Sequence, residues 1–149
     1  MSRAASELRS RSSAETREAG RALGLSLAPG ALVLLSGPLG AGKTELVRGI
    51  ASGLGAGEDE VASPTFALVH EYGPRGAPPL LVHADLYRLL GTERSAGATE
   101  DLGLDEARAR GAVVVVEWPE GLAGGDPDVE VEITPEDDGT RRIVVRRVR

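Results

Sequence analysis

Hydrophobic and polar positions along the chain follow several distinct rhythms. Behind Ser12-x-x-Glu15, which has the form of a capping box, apolar Ala19, Ala22, Leu23 and Leu27 recur at helical spacing and predict a helix from about Ser13 to Ala28 that Pro29-Gly30 stops. Ala31 to Ser36 is too short, too uniformly apolar and too tightly bracketed to be anything but a buried strand. Past a glycine loop, Leu46, Val47, Ile50, Ala51 and Leu54 lie on one stripe of a second helix, ended by Gly55-Ala-Gly57. Ala67 to Tyr72 and Leu80 to Asp85, joined by Gly73-Pro-Arg-Gly-Ala-Pro-Pro79, read as an antiparallel hairpin. A polar, helix-compatible segment from about Thr99 to Arg110 leads into Ala112-Val-Val-Val-Val-Glu117-Trp118, a second fully buried strand. Val129 to Thr134 and Arg142 to Val148 turn at Asp137-Asp-Gly139 as another hairpin. Helices on a mixed sheet with a parallel central pair predict an α/β layered fold, a mixed β-sheet with a parallel core flanked by helices.

Composition narrows this picture. At 149 residues one domain spanning 1–149 is expected, with residues 1–12 either flexible or a short edge strand. No apolar run approaches the roughly 18 residues that span a bilayer, and Met1-Ser-Arg-Ala-Ala-Ser6 has no hydrophobic signal core behind it, so a soluble, cytoplasmic protein with no membrane partner is expected. Without cysteine there is neither a disulfide framework nor a thiolate metal site. A net charge of −6 argues against a nucleic-acid-coating surface. Arg141, Arg142, Arg146, Arg147 and Arg149 nonetheless crowd the end of the chain, as the solvated face of a terminal strand or as an RNA or partner contact.

Gly37-x-x-x-x-Gly42-Lys43-Thr44 follows a buried strand and opens an amphipathic helix, the context that a phosphate-binding loop requires, so the expected layered fold is P-loop NTPase-like. Glycines let successive backbone N–H groups turn inward, and the following helix points its positive end at the same anion. Lys43 is the only lysine among 17 Lys and Arg. A compact ammonium on a flexible stem reaches between β- and γ-phosphate oxygens, whereas a planar guanidinium crowds the cradle. Thr44 would hold Mg²⁺ through its hydroxyl.

Phosphate loops bind, and hydrolysis needs a further acid near the metal. Glu117 ends the four-valine run and Asp85 ends Leu80-Leu-Val-His-Ala-Asp85, both at the carboxyl edge where open α/β sheets place their ligands; the alternative for each is an acid facing solvent. Ser63-Pro64-Thr65-Phe66 stands where nucleotide switches place a threonine near the γ-phosphate, or is simply a strand-entry turn. His70 and His83 read as polar strand residues rather than metal ligands. The chain has no asparagine and no glutamine, which removes an Asn-Lys-x-Asp guanine reader and any glutamine that could orient an attacking water. An arginine-bearing lid of the small-molecule kinase type is also missing, since the polar insert Gly91 to Glu100 carries only Arg94.

Taken in order, Gly37-Pro-Leu-Gly-Ala-Gly-Lys-Thr44 with Arg48-Gly49, Ser63-Pro-Thr-Phe-Ala-Leu-Val69 with Glu71-Tyr72, His83-Ala-Asp-Leu-Tyr-Arg-Leu89, Leu102-Gly103 and Glu117-Trp-Pro-Glu120 resemble the TsaE (YjeE) family of bacterial ATPases, over about residues 13 to 134. The resemblance implies an ATPase required for the N6-threonylcarbamoyladenosine (t6A37) modification of tRNA. Its ATP binding and hydrolysis would reset the TsaB–TsaD transferase pair on which it docks, with tRNA met through that complex. It also implies site roles: Leu39, Gly40, Ala41, Gly42, Lys43 and Thr44 as the phosphate cradle, Thr44 and Glu117 as Mg²⁺ ligands, and Asp85 at the nucleotide in water activation or metal positioning. Lys43, Asp85 and Glu117 are then the catalytic set, with Thr65 in the switch-like loop, Trp118 beside the site, and Ser13 and Arg141 near the base or phosphates. Pro38 and Glu45 depart from the family's usual Asp and Thr, the stretch from Asp85 to Glu117 is a few residues longer, and Ala107 replaces an aromatic. The readings that compete with an ATPase are a nucleotide-sensing binding module in which hydrolysis is incidental and a small-metabolite kinase.

Overall fold

The computed structural model describes residues 4–38, 40–56, 60–62, 69–74, 76–85, 103–117 and 127–148. The Ser63-Pro64-Thr65-Phe66 loop, the start of the strand expected from Ala67, the Gly91–Glu100 insert and the beginning of the helix expected from Thr99 lie outside those residues.

The described elements are β1 (Ala4–Ser10), α1 (Ser13–Ser26), β2 (Leu32–Ser36), α2 (Lys43–Gly53), β3 (Glu60–Ala62), β4 (Val69–Tyr72), β5 (Leu81–Asp85), α3 (Leu104–Ala109), β6 (Val113–Glu117), β7 (Val129–Pro135) and β8 (Arg141–Arg147). Among the described residues the strands form one eight-stranded sheet in the order β1-β8-β7-β2-β6-β5-β4-β3. β5, β6, β2 and β7 are mutually parallel, so the parallel block is twice as wide as the central pair that the sequence suggests. Each hairpin docks one of its strands onto that pair: β5 joins β6, and β7 joins β2. Two apolar-patterned strands and a turn signal pairing with each other, but not which of them faces the rest of the sheet.

β1 extends the other end of the sheet, antiparallel to β8, from Ala4↔Arg147 to Ser10↔Arg141. Its residues 5–9 are exposed, which explains why no hydrophobic alternation marks it. The two buried runs are as the pattern demands, since every residue of β6 is buried and Val33 and Leu35 of β2 are fully so. α1 and α2 cover one face of the sheet over Val33, Leu35, Leu81, Val113, Val115 and Val131. α3 packs Leu104 against the opposite face, over Val82, Val114 and Val116.

α1 begins at a capping box: the Ser12 hydroxyl accepts from the Glu15 N–H at 3.1 Å, and the Glu15 carboxylate accepts in turn from the Arg11 N–H at 2.9 Å. Its packing against α2 is built on glycines four residues apart in each helix, Gly20 and Gly24 facing Gly49 and Gly53. A methyl on Gly20 would stand 2.2 Å from the Leu46 carbonyl oxygen, and one on Gly49 2.0 Å from that of Arg17. Each helical glycine costs roughly 0.5–1 kcal/mol against alanine, and the backbone contact it permits offsets that cost. Gly49→Ala therefore gains helix propensity but forces the helices apart, and the second effect wins. A net loss of about 1–3 kcal/mol is expected in urea unfolding, and an unchanged midpoint would contradict this packing.

Candidate functional site

The carboxyl ends of β2, β5 and β6 point to the same edge of the sheet, and the loop leaving β2 turns there into α2. Gly42 is the residue before α2 and holds φ at 102°, a left-handed conformation that makes glycine the fitting residue at this turn. Unlike α1, α2 has no side-chain cap, so its first-turn N–H donors and positive dipole end are directed at whatever occupies the cleft in front of it. That cleft has a volume of about 330 Å³ and is lined by Gly40, Gly42, Lys43, Thr44, Glu45, Asp85 and Glu117. Ala41 lies beneath the loop, fully buried, and its N–H donates to the Pro38 carbonyl at 3.1 Å.

Lys43 is only 6% exposed. A buried ammonium is tolerable only with partners, and here Nζ donates to the Gly37 carbonyl at 2.7 Å and stands 3.9 Å from Oε1 of Glu117. Glu117 is buried at the end of β6, directly opposite Asp85 in the β5–β6 register. The other oxygen of Glu117, Oε2, is hydrogen-bonded to Nε2 of His83. Side chains alternate along strands, which sets His83 and Asp85 on the same side of the sheet as Leu81, under α2.

The remaining expected residues are placed as follows. Arg141 opens β8 and lies over the loop, its Cδ and Nε each 3.3 Å from where a methyl on Gly42 would be. Ser13 is exposed at the start of α1, one turn before Arg17, whose guanidinium bonds the Glu45 carboxylate at 2.7 Å in the first turn of α2. Leu39, Thr65 and Trp118 lie outside the described residues. The structure thus gathers Gly40, Gly42, Lys43, Thr44, Asp85 and Glu117 around one cleft and sets Arg141 against its rim.

Glu45 stands where a carboxylate would oppose a bound phosphate. The hydrogen bond from Arg17, with lesser help from Arg48, lowers its pKa below the ordinary glutamate range, and the same guanidinium groups neutralise it. Sequence reasoning missed this pairing, which becomes legible only once the glycines of α1 and α2 are recognised as facing each other. It also missed His83 as the partner of Glu117. The spacing His83-x-Asp85 carried that signal, since residues two apart on a strand share a face.

No group of three or more His, Cys, Asp or Glu that could hold a metal by itself occurs among the described residues. The oxygen donors at the cleft, the Thr44 hydroxyl and the Asp85 and Glu117 carboxylates, are nonetheless a fitting set for Mg²⁺. That hard cation takes one or two protein carboxylates and fills its octahedron with phosphate oxygens and water. Two adjacent carboxylates would repel a polyphosphate alone, and a divalent cation bound at the cleft would offset that repulsion.

A family model described as "Threonylcarbamoyl adenosine biosynthesis protein TsaE" matches residues 10–144. The chain is 49% identical over 105 residues to the tRNA threonylcarbamoyladenosine biosynthesis protein TsaE of Streptomyces coelicolor, covering 70% of this chain and 68% of that protein. It is 46% identical over 111 residues to the protein of the same name from Mycobacterium tuberculosis, covering 73% and 66%. With that of Treponema pallidum it shares 39% over 138 residues, covering 91% and 96%. Among solved structures, YdiB of Bacillus subtilis superposes with a TM-score of 0.72 at 28% identity, covering 100% of this chain and 89% of that one.

Proposed function

The chain belongs to the TsaE family, and from that premise we propose that it acts in the synthesis of threonylcarbamoyladenosine on tRNA as a P-loop ATPase that resets a TsaB–TsaD transferase complex. The observation that carries the ATPase reading is the convergence of Lys43, Asp85 and Glu117 on the uncapped start of α2, behind a glycine loop. Thr44 and Glu117 would hold Mg²⁺, which would supply positive charge to offset that of the phosphates. Lys43 exchanges its bond to the Gly37 carbonyl for phosphate oxygens, a trade that needs little motion because the ammonium already lies at the cleft. Asp85, one strand over from Glu117, would activate the attacking water or position the metal. Arg141 at the loop's rim adds positive charge where the phosphates sit.

Without glutamine anywhere in the chain, the attacking water lacks one of the usual orienting groups. The isolated protein is therefore a slow ATPase, and a partner completes the site. Phosphate release is expected to rise by about tenfold or more when TsaB and TsaD are added, the size of effect that one supplied catalytic group produces. An isolated chain already at full speed and indifferent to both partners would contradict the proposal.

A further inference from the structure

Burial alone does not fix the direction of a carboxylate. The last torsion of a glutamate side chain is broad, and a carboxyl group at a strand end can rotate without leaving its place. Among the described residues, Oε2 of Glu117 is hydrogen-bonded to His83, while Oε1 is ion-paired with Lys43 across 3.9 Å. Because an ionised carboxylate only accepts, Nε2 of His83 carries the proton and donates it. The imidazole is itself confined, 8% exposed on a central strand, with the ring of His70 beside it at 6.2 Å between centroids. His83 sits below the cleft and is not among the residues that line it, so its effect on a ligand must pass through Glu117.

We infer that His83 is a positioning residue, whose Nε2–H bond to Oε2 of Glu117 fixes the carboxylate rotation that presents Oε1 to the divalent cation of a bound nucleotide. The inference rests on the reading of Glu117 as a metal ligand. Outer partners of this kind raise metal affinity because the ligand is already oriented before the metal arrives.

The test measures, by calorimetry on the full chain, the factor by which Mn²⁺ tightens ATP binding relative to EDTA. In His83→Leu that factor is expected to fall by roughly tenfold or more, while ATP affinity in EDTA stays unchanged. His83→Gln, which carries an amide N–H near the same position, restores most of it. In a Glu117→Gln background His83→Leu adds no further loss. Should thermal melting show His83→Leu unfolded, His83→Asn, polar but too short to reach Glu117, takes its place in every arm. An undiminished Mn²⁺ effect in the variant, or an equal loss with and without the Glu117 carboxylate, overturns the inference and leaves the ATPase reading standing. A wild-type chain whose ATP binding ignores Mn²⁺ altogether overturns both.

Discussion

Lys43→Ala is expected to weaken Mg²⁺·ATP binding at least 100-fold, about 3 kcal/mol, and to leave cells with no more threonylcarbamoyladenosine in their tRNA than a strain lacking the gene. The magnitude follows from what the ammonium faces. It is 6% exposed and stands 3.9 Å from one carboxylate oxygen, in a cleft that holds a second carboxylate, Asp85. Its removal takes away hydrogen bonds to charged phosphate oxygens, roughly 1.5–3 kcal/mol each, and leaves two acids to repel the same phosphates. Lys43→Arg does not restore binding, because a guanidinium has no room beside the Gly37 carbonyl that the ammonium touches at 2.7 Å. Thermal melts show whether each variant is folded, and mass analysis of tRNA nucleosides reads the cellular outcome. Normal modification supported by Lys43→Ala would remove nucleotide binding from the function.

The second large effect belongs to Glu117. Glu117→Gln keeps the shape of the side chain, and its amide oxygen still accepts from His83, so the end of β6 is preserved. What disappears is the negative charge that faces Lys43 and would face the cation. Partner-stimulated phosphate release is expected to fall about 100-fold or more while ATP still binds, since the lost interaction acts chiefly on charge developing in the transition state. Wild-type hydrolysis by this variant would contradict the role given to Glu117. The same variant separates the ATPase from a nucleotide sensor: if tRNA modification proceeds at the normal rate after hydrolysis has gone, ATP acts as a ligand and its cleavage is incidental.

Much of the fold is legible in the sequence because its core strands are buried on both faces. Ala31 to Ser36 and Ala112 to Trp118 announce themselves by unbroken apolar runs, and the structure places β2 at Leu32–Ser36 and β6 at Val113–Glu117. The Asp137-Asp-Gly139 turn likewise marks the β7–β8 hairpin. What stays hidden is set by contacts rather than by pattern. β1 is exposed and gains its order by pairing with β8, so its composition carries no periodic signal. The first helix ends at Ser26 and not at Ala28, because the Leu27 N–H turns back to the Gly24 carbonyl before Pro29 is reached.

At the site, Lys43 and Thr44 follow from a local motif, whereas the neighbourhood of Asp85 and Glu117 depends on β5 and β6 lying side by side in parallel, with 31 residues of chain between those two acids. Strand-end position makes each acid a candidate, and only the register Asp85↔Glu117 brings them together. His83 is legible as a strand residue sharing a face with Asp85, but its pairing with Glu117, 34 positions away, also needs the β5–β6 register, which the local spacing does not supply.

The most direct measurement is a calorimetric titration of the purified chain with ATP in the presence of Mg²⁺, run beside Lys43→Ala. One-site binding that weakens when Mg²⁺ is withdrawn and vanishes in the variant is the predicted result. Absence of binding to any nucleoside triphosphate, with Mg²⁺ present and with the TsaB–TsaD pair supplied, would contradict it.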